Sequence, residues 1–249
     1  GRITKIFITH LHGDHFFGLP GLLCTLSLQV NPDPNKPPVD IYGPLGLRYF
    51  IRRSLELSHS QLLFPYTVHE LVPTQDQCPA EEFKEFSSLD GDEASPQGAQ
   101  GRILHLDPVE NAYLLLEDEQ LVLKAFRLFH RIPSFGFVVE EKPRTSKLNV
   151  QKLKDLVLYM GNSIILENRV TISPLDVLEN PIPGRKICIL GDCSGVVGDA
   201  AAKLCWEADV LIHEATLDDT QEEKTREHSH STPRMALALA KWCKAKKLV

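Results

Sequence analysis

Residues 9–15 read Thr9-His10-Leu11-His12-Gly13-Asp14-His15 and directly follow an apolar stretch, residues 3–8. The apolar stretch predicts a short buried strand, and the polar run predicts the loop at its end. Imidazole nitrogens and a carboxylate oxygen are suitable ligands for Zn²⁺ or a similar divalent ion. Three of the ten histidines of the chain fall in this window, which disfavours a chance accumulation in a surface loop. The stretch therefore predicts a metal site at the end of a strand.

Two further candidate ligands follow predicted strands later in the chain. His130 comes directly after the apolar run 121–129, and Asp192 comes directly after the apolar run 186–191. A single histidine or aspartate at a strand end is more often a structural hydrogen-bonding group than a ligand. Because the succession of strand, polar side chain and loop occurs three times, we expect the three segments to contribute to one site.

Composition limits the class of protein. The chain has 249 residues, is 43% hydrophobic and carries a formal net charge of −6, so it predicts one domain with an ordinary core, residues 1–249. The overall charge does not by itself indicate a nucleic-acid partner. The six cysteines form no C-x-x-C pair, and some lie on apolar runs, which favours a reducing compartment. We find no signal peptide and no apolar run of membrane-spanning length, and predict a soluble intracellular protein without a membrane partner.

The order of apolar and polar segments predicts an α/β fold. The chain begins inside a strand and ends at Lys247-Leu248-Val249 as if another strand were starting, so we expect it to be incomplete at both ends. Residues 74–100 are acidic and polar and predict a surface loop, whereas residues 140–167 show no regular pattern. Helices are predicted at 14–29 and 45–60, and strands at 39–42, 66–72, 102–106, 112–116, 120–129, 135–139, 187–190 and 210–212.

The H-x-H-x-D-H pattern at the end of a strand resembles the metallo-β-lactamase superfamily. Three other segments are similar to one branch of it, ribonuclease Z, the tRNA 3′-end endonuclease, and specifically to the short-form ElaC-type zinc phosphodiesterases. These segments are residues 130–136, His-Arg-Ile-Pro-Ser-Phe-Gly; residues 191–193, Gly-Asp-Cys; and residues 212–216 with 230–232, Ile-His-Glu-Ala-Thr and His-Ser-Thr. The resemblance implies a four-layer αββα sandwich, which is expected to be truncated at both ends in this chain.

The resemblance also implies a site for two zinc ions per subunit. Two histidines of the first loop would hold one ion together with the histidine after residue 129. The other two metal-capable side chains of the first loop would hold the second ion, and an aspartate would bridge both ions. A seventh ligand of the family, a histidine, would come after the last residue of this chain, so the second ion is expected to be held more weakly. The ligands implied are His10, His12 and His130 for one ion, Asp14 and His15 for the other, and Asp192 as the bridge.

Catalytic roles follow from the same resemblance. Asp14 is expected to steer or accept the proton of the attacking water, and His230, oriented by Glu214, to protonate the leaving ribose oxygen. An alternative stays open from the residues alone. Thr232 and Pro233 form a good helix start, so His230 could be only a residue ahead of that cap and Glu214 only a carboxylate at a strand end.

The function implied is that of a zinc-dependent endoribonuclease. It would remove the 3′ trailer from precursor tRNA by metal-hydroxide attack on the phosphodiester and leave a 3′-hydroxyl on the tRNA. The resemblance further implies a homodimer, no DNA partner and a cytoplasmic or nuclear location. Residues 140–167 would be an inserted arm, shortened here, that docks the tRNA and carries the basic residues Lys142, Arg144, Lys147, Lys152 and Lys154.

Two other functions stay open. The first is another metal-dependent hydrolase of the superfamily, such as a thioesterase or lactamase, although the long separation between His15 and His130 fits a compact lactamase-like domain poorly. The second is a catalytically impaired fragment of the endoribonuclease that cannot complete its site. Such a fragment would hold well under two metal ions per chain.

Overall fold

The computed structural model describes residues 3–29, 31, 33, 35, 37–87, 101–144, 148–155, 178–179 and 181–249. These residues form two β-sheets with helices on their outer faces. Parts of the predicted arm, residues 145–147 and 156–167, lie outside the described residues, and so does Lys147. A strand of residues Ser134–Glu141 includes Glu141, so the first residues of the predicted 140–167 insertion still belong to a sheet.

The first sheet has four parallel strands in chain order. They are β1 (Lys5–Phe7), β2 (Val39–Pro44), β3 (Tyr66–Leu71) and β4 (Ile103–Leu104). Parallel neighbours require crossover connections, and helices supply the first two of them. These helices are α1 (Gly13–Phe16), α2 (Leu19–Ser27) and α3 (Leu47–Leu57).

The second sheet is mixed, with the strand order β10-β8-β7-β6-β5 and β9 paired to β6. Strands β6 and β8 are both antiparallel to β7 and therefore run in the same direction. The residues that follow β6 and β8 consequently leave the sheet at the same edge. The strands are β5 (Tyr113–Glu117), β6 (Leu121–Phe129), β7 (Ser134–Glu141), β8 (Lys186–Ile189), β9 (Gly195–Val196) and β10 (Val210–Ile212).

Three hydrophobic clusters define the layers. One joins α2 and α3 to the outer face of the first sheet, with Leu23, Ile41 and Ile51 fully buried. A second lies between the two sheets, where Phe7 stacks on Tyr42. The third joins the second sheet to α5 (Ala200–Leu204) and α7 (Pro233–Trp242), and the short α6 (Lys224–His228) precedes α7. Each interface buries one apolar face of a sheet, so the predicted four-layer αββα sandwich is confirmed.

Two local predictions were wrong. The helix predicted over residues 14–29 is two helices, because the chain breaks at Phe17 and Gly18 and restarts with Pro20 in the first turn of α2. The loop predicted over residues 74–100 contains a 3₁₀ turn, Gln75–Gln77, and the helix α4, Ala80–Ser87. Acidic residues in the first turn of α4 favour its start through the helix dipole. Residues 88–100 lie outside the described residues.

Candidate metal centre

Three histidines from two distant loops converge at the edge of the sandwich. His10, His12 and His130 each offer a ring nitrogen, and these atoms lie within 4.8 Å of one another. His130 Nε2 is 3.1 Å from His12 Nδ1, although 118 residues separate them in sequence. The loops are joined by the backbone, since the Phe135 N–H donates to the Thr9 carbonyl at 2.9 Å. The first three-ligand set implied by the resemblance is therefore present as a cluster.

Hydrogen bonds at Nδ1 fix the orientation of two of these rings. His130 Nδ1–H donates to the Ser229 carbonyl at 2.7 Å, and His10 Nδ1 is 3.0 Å from Thr9 Oγ1. Ser229 presents its carbonyl from a left-handed backbone conformation, with φ of 56°. Because a carbonyl only accepts, Ser229 sets the tautomer of His130, and a bond at one ring nitrogen leaves the other nitrogen to bind a metal.

His10 supplies the test of whether a metal fits. Its side chain is fully buried, and its Nε2 has no hydrogen-bond partner among the described residues. A buried ring nitrogen without a partner is costly unless something else satisfies it. Imidazole nitrogens and carboxylate oxygens are the ligand types that Zn²⁺ takes, so the cluster fits a zinc ion.

A second cluster shares His10 with the first. His10, His15 and Asp192 bring their donor atoms within 4.8 Å of one another, and His15 Nε2 is 3.3 Å from Asp192 Oδ2. Asp14 differs from the other predicted ligands. Its Oδ2 is 3.4 Å from His15 Nε2, but its side chain is 81% exposed and belongs to none of the three metal-capable clusters. The role of Asp14 as a ligand and proton acceptor stays a prediction.

His230 and Glu214 lie beside these clusters and contact each other. His230 Nδ1 is 3.1 Å from Glu214 Oε1, and His230 forms a third metal-capable cluster with His130 and Asp192. Thr232 Oγ1 accepts a hydrogen bond from the Met235 N–H at the start of α7. The helix cap and the His–Glu pair thus coexist, and the cap does not remove His230 from the site.

Backbone groups hold the Glu214 carboxylate in its ionised form. Burial alone would raise the pKa of Glu214, but backbone N–H groups of Thr216, Ser231 and Cys193 donate to it at 2.8, 2.9 and 3.2 Å. These hydrogen bonds outweigh burial and lower the pKa of Glu214 below its usual value. An ionised, fixed carboxylate can hold the His230 ring with Nδ1–H toward it and Nε2 free.

Burial keeps two of the clustered histidines neutral. Desolvation, followed by the neighbouring His15, His130 and His12, lowers the pKa of His10 to about 2. Desolvation also lowers the pKa of His130 to about 4. Neutral imidazole is the form that binds a metal. The site is therefore ready to bind a cation at neutral pH without losing protons from these two rings.

We expect the metal-free protein to lose stability as the pH falls below about 6.5. The unfolded chain then protonates histidines, whereas folded His10 and His130 stay neutral down to pH 4 or below. Their contribution is fully present above pH 6.5, and we expect a loss of roughly 2–5 kcal/mol by pH 4.5. Thermal unfolding of chelator-treated protein between pH 4.5 and 7.5 measures it. A His130→Gln variant should show a shallower slope, and an equal slope would contradict the assignment.

Gly191 lies where the loops after β1, β6 and β8 meet. A Cβ placed at this position would lie 2.5 Å from Thr9 Cβ and 2.8 Å from Ser134 Oγ. Both neighbours are held in place, because Thr9 bonds His10 and Ser134 begins β7. Only a residue without a side chain therefore fits this junction.

Gly191→Ala is expected to destabilise the protein by about 1–3 kcal/mol through overpacking. The midpoint of thermal unfolding should fall by roughly 2–10 °C. Gly195→Ala is the matched control, since a Cβ there meets nothing within 4 Å. Equal midpoints for the two variants would show that the junction can adjust.

The chain is similar to known proteins over its whole length. Human zinc phosphodiesterase ELAC protein 1 is 66% identical over 258 residues, which cover 100% of this chain and 71% of that protein. The crystal structure of the human tRNase Z short form, ELAC1, matches with a TM-score of 0.70 and 53% identity over 99% of this chain and 71% of that chain. The chain belongs to the short-form tRNase Z family. Ribonuclease BN of Cronobacter sakazakii (strain ATCC BAA-894) is 32% identical, covering 100% of this chain and 70% of that protein.

Family membership confirms the predicted resemblance and the metallo-β-lactamase type of fold. A scan against models of protein families gave no match. Within the described residues, no helix is both long and apolar enough to span a membrane. The His- and Asp-rich loops of this chain are the part to which a metal-dependent activity can be assigned.

Sequence reasoning missed the groups that orient the ligands. The ring of His10 contacts Thr9, and the ring of His130 contacts Ser229. The backbone N–H of His130 donates to Gln77. Two of these contacts use backbone carbonyls, which every residue has, so no sequence pattern could have indicated them. Thr9, directly before His10, was the only one with a local signal.

Proposed function

We propose that this protein is a zinc-dependent endoribonuclease that removes the 3′ trailer from precursor tRNA and leaves a 3′-hydroxyl. The observation that carries the proposal is the convergence of His10, His12, His15, His130 and Asp192, with the His230–Glu214 pair beside them. Relatives covered over about 70% of their length are named zinc phosphodiesterase, tRNase Z and ribonuclease. These names do not favour a lactamase or a thioesterase.

The residues that would hold zinc are those of the first two clusters. His10, His12 and His130 would hold one ion, and His15 and Asp192 the other, with Asp14 as a further ligand in the proposal. Bound zinc supplies charge neutralisation for the phosphodiester and a water whose pKa is low enough for attack near neutral pH. Asp192 clusters with His10 and His15 and, separately, with His130, so its carboxylate lies near proposed ligands of both ions and would be shared between them.

His230 would deliver a proton to the departing ribose oxygen. Its Nδ1–H donates to the ionised Glu214, so Nε2 is the atom that can carry a proton to the substrate. The Glu214 carboxylate keeps the ring in one orientation, which a positioned proton donor requires. Asp14, exposed at the edge of the site, would guide the proton of the attacking water.

Cleavage of a precursor tRNA with a 3′ trailer tests the proposal. With added Zn²⁺, the protein is expected to cut after the discriminator nucleotide, and His130→Ala is expected not to. His105→Ala is the control, because His105 is exposed and lies outside the clusters. Cleavage that His130→Ala leaves intact would overturn the assignment. Zinc content well under two ions per chain with no cleavage would favour the impaired fragment.

Residues 140–167 are proposed as the inserted arm that docks tRNA, within a single domain of residues 1–249. Lys142 already pairs with Glu117 at 2.8 Å, and Arg144 with Glu141 at 3.7 Å. Lys152 and Lys154 are exposed, so they support contacts to phosphate better than the first two do. Phosphate contacts of this kind supply affinity for tRNA that falls with added salt.

The assembly and location are proposed from the family alone. We expect a homodimer, in which the arm of one subunit presents precursor tRNA to the site of the other, and a cytoplasmic or nuclear location. Sedimentation at micromolar concentration tests the assembly, and a monomer that cleaves at full rate would contradict it.

A further inference from the structure

The turn formed by residues 74–77 contacts the His130 loop at both of its ends. The Gln77 carbonyl accepts a hydrogen bond from the His130 N–H at 2.9 Å. The Gln77 side chain reaches the other end, where its Nε2 donates to the Ser134 carbonyl at 2.7 Å. One residue therefore holds the first and last residues of the segment that delivers His130 to the metal cluster.

Gln77 is fully buried, and its side-chain amide is used on both sides. While Nε2 donates to Ser134, Oε1 accepts from the Thr74 N–H at 3.0 Å. This second bond closes the capping box of the 3₁₀ turn. A buried amide with its donor and its acceptor both bonded has a single preferred orientation, so the distance between the turn and the His130 loop is fixed.

Arg127 fixes this turn to strand β6. Arg127 Nη1 donates to Thr74 Oγ1 at 2.9 Å and to Asp76 Oδ2 at 2.7 Å, and Nη2 donates to Asn111 Oδ1 at 2.6 Å. Arg127 lies on β6, three residues before His130, and its side chain is only 8% exposed. The turn is thus bound to the chain on both sides of His130.

We propose that Gln77 is a positioning residue for His130, and that the Arg127–Asp76 ion pair holds the turn in place for that purpose. The inference rests on the proposed function, since it assigns His130 to a zinc ion. Gln77 does not contact a ligand atom. It fixes the backbone on which the His130 ring is mounted, while the Ser229 carbonyl fixes the rotation of the ring. Supports of this kind set metal affinity as well as geometry.

Gln77→Met tests the role of the amide with a side chain of similar length and no hydrogen-bonding donor. We expect the zinc affinity, measured by competition with a chromogenic chelator, to fall roughly tenfold, the lower end of the effect of removing such a support. With cobalt in place of zinc, the visible absorption spectrum of the folded protein should change. At saturating zinc, kcat for precursor tRNA should fall, whereas KM should stay unchanged because no substrate contact is lost.

Gln75→Met is the matched control, because Gln75 lies on the same turn but is exposed. It should leave zinc affinity, cobalt spectrum and kcat as in the wild type. Asp76→Ala keeps the inference testable if Gln77→Met does not fold. The Asp76 side chain is 54% exposed, so its removal should leave the core intact while freeing the turn, with a smaller loss of zinc affinity in the same direction.

The outcomes separate this inference from the proposed function. If wild-type protein binds zinc better than His130→Ala, but Gln77→Met and Asp76→Ala bind it as tightly as wild type, the positioning role is overturned and the function stands. If wild type and His130→Ala bind zinc equally, the proposed function itself fails. A lower unfolding temperature with unchanged zinc affinity would mean that the turn serves stability alone, and it would also overturn the inference.

Discussion

Replacing His10 with alanine is expected to abolish cleavage of precursor tRNA and to remove zinc from both halves of the site. His10 is the one residue shared by the His10–His12–His130 and His10–His15–Asp192 clusters among the described residues. It is fully buried, and its Nε2 has no hydrogen-bond partner among the described residues. The charge of the metal is expected to stabilise the transition state by about 4 kcal/mol, and losing this stabilisation lowers kcat/KM roughly a thousandfold.

Zinc content by elemental analysis, read together with kcat/KM, measures this effect. His12→Ala is expected to remove less zinc than His10→Ala, since His12 belongs to one cluster only. His105→Ala, at an exposed position, should leave both quantities unchanged. Full zinc content in His10→Ala would show that the buried ring is structural and that other groups hold the metal.

Replacing His230 with alanine is expected to lower kcat by roughly 10²–10⁴-fold, the range of general acid catalysis. The zinc content should stay that of the wild type, because the proposal assigns His230 to neither ion. The zinc measurement distinguishes two interpretations of the His130–Asp192–His230 cluster. A proton donor leaves zinc content unchanged when it is removed, whereas a ligand does not.

Glu214→Gln refines this second prediction. The glutamine keeps the shape of the side chain but removes the charge that orients His230, so kcat should fall by a smaller factor than in His230→Ala. His228→Ala is the control, because His228 is exposed and lies two residues before His230 in the sequence. A wild-type kcat in both His230→Ala and Glu214→Gln would favour the alternative that the sequence left open, with His230 only a residue ahead of the helix cap and Glu214 only a carboxylate at a strand end.

The strands and their polar ends could be predicted from the sequence because their signals are local. The apolar runs before His10, His130 and Asp192 contain strands, and each of these polar residues comes within two residues of the end of its run. Helix α4 was missed because its acidic, polar surface has the composition of a loop. The break between α1 and α2 was missed because the helical spacing of apolar residues continues across Gly18.

The sequence by itself determined which side chains can bind a metal and, through the resemblance, which family the chain belongs to. The three histidines after the first strand lie within one short stretch of sequence, so no tertiary contact is needed to recognise them. Only the tertiary structure decided that Gln77 holds the His130 loop and that Ser229 fixes its ring. It also placed Asp14 at an exposed position outside the three clusters. These outcomes depend on backbone groups and on distances between segments far apart in the chain, and such distances are set by the packing of the two sheets.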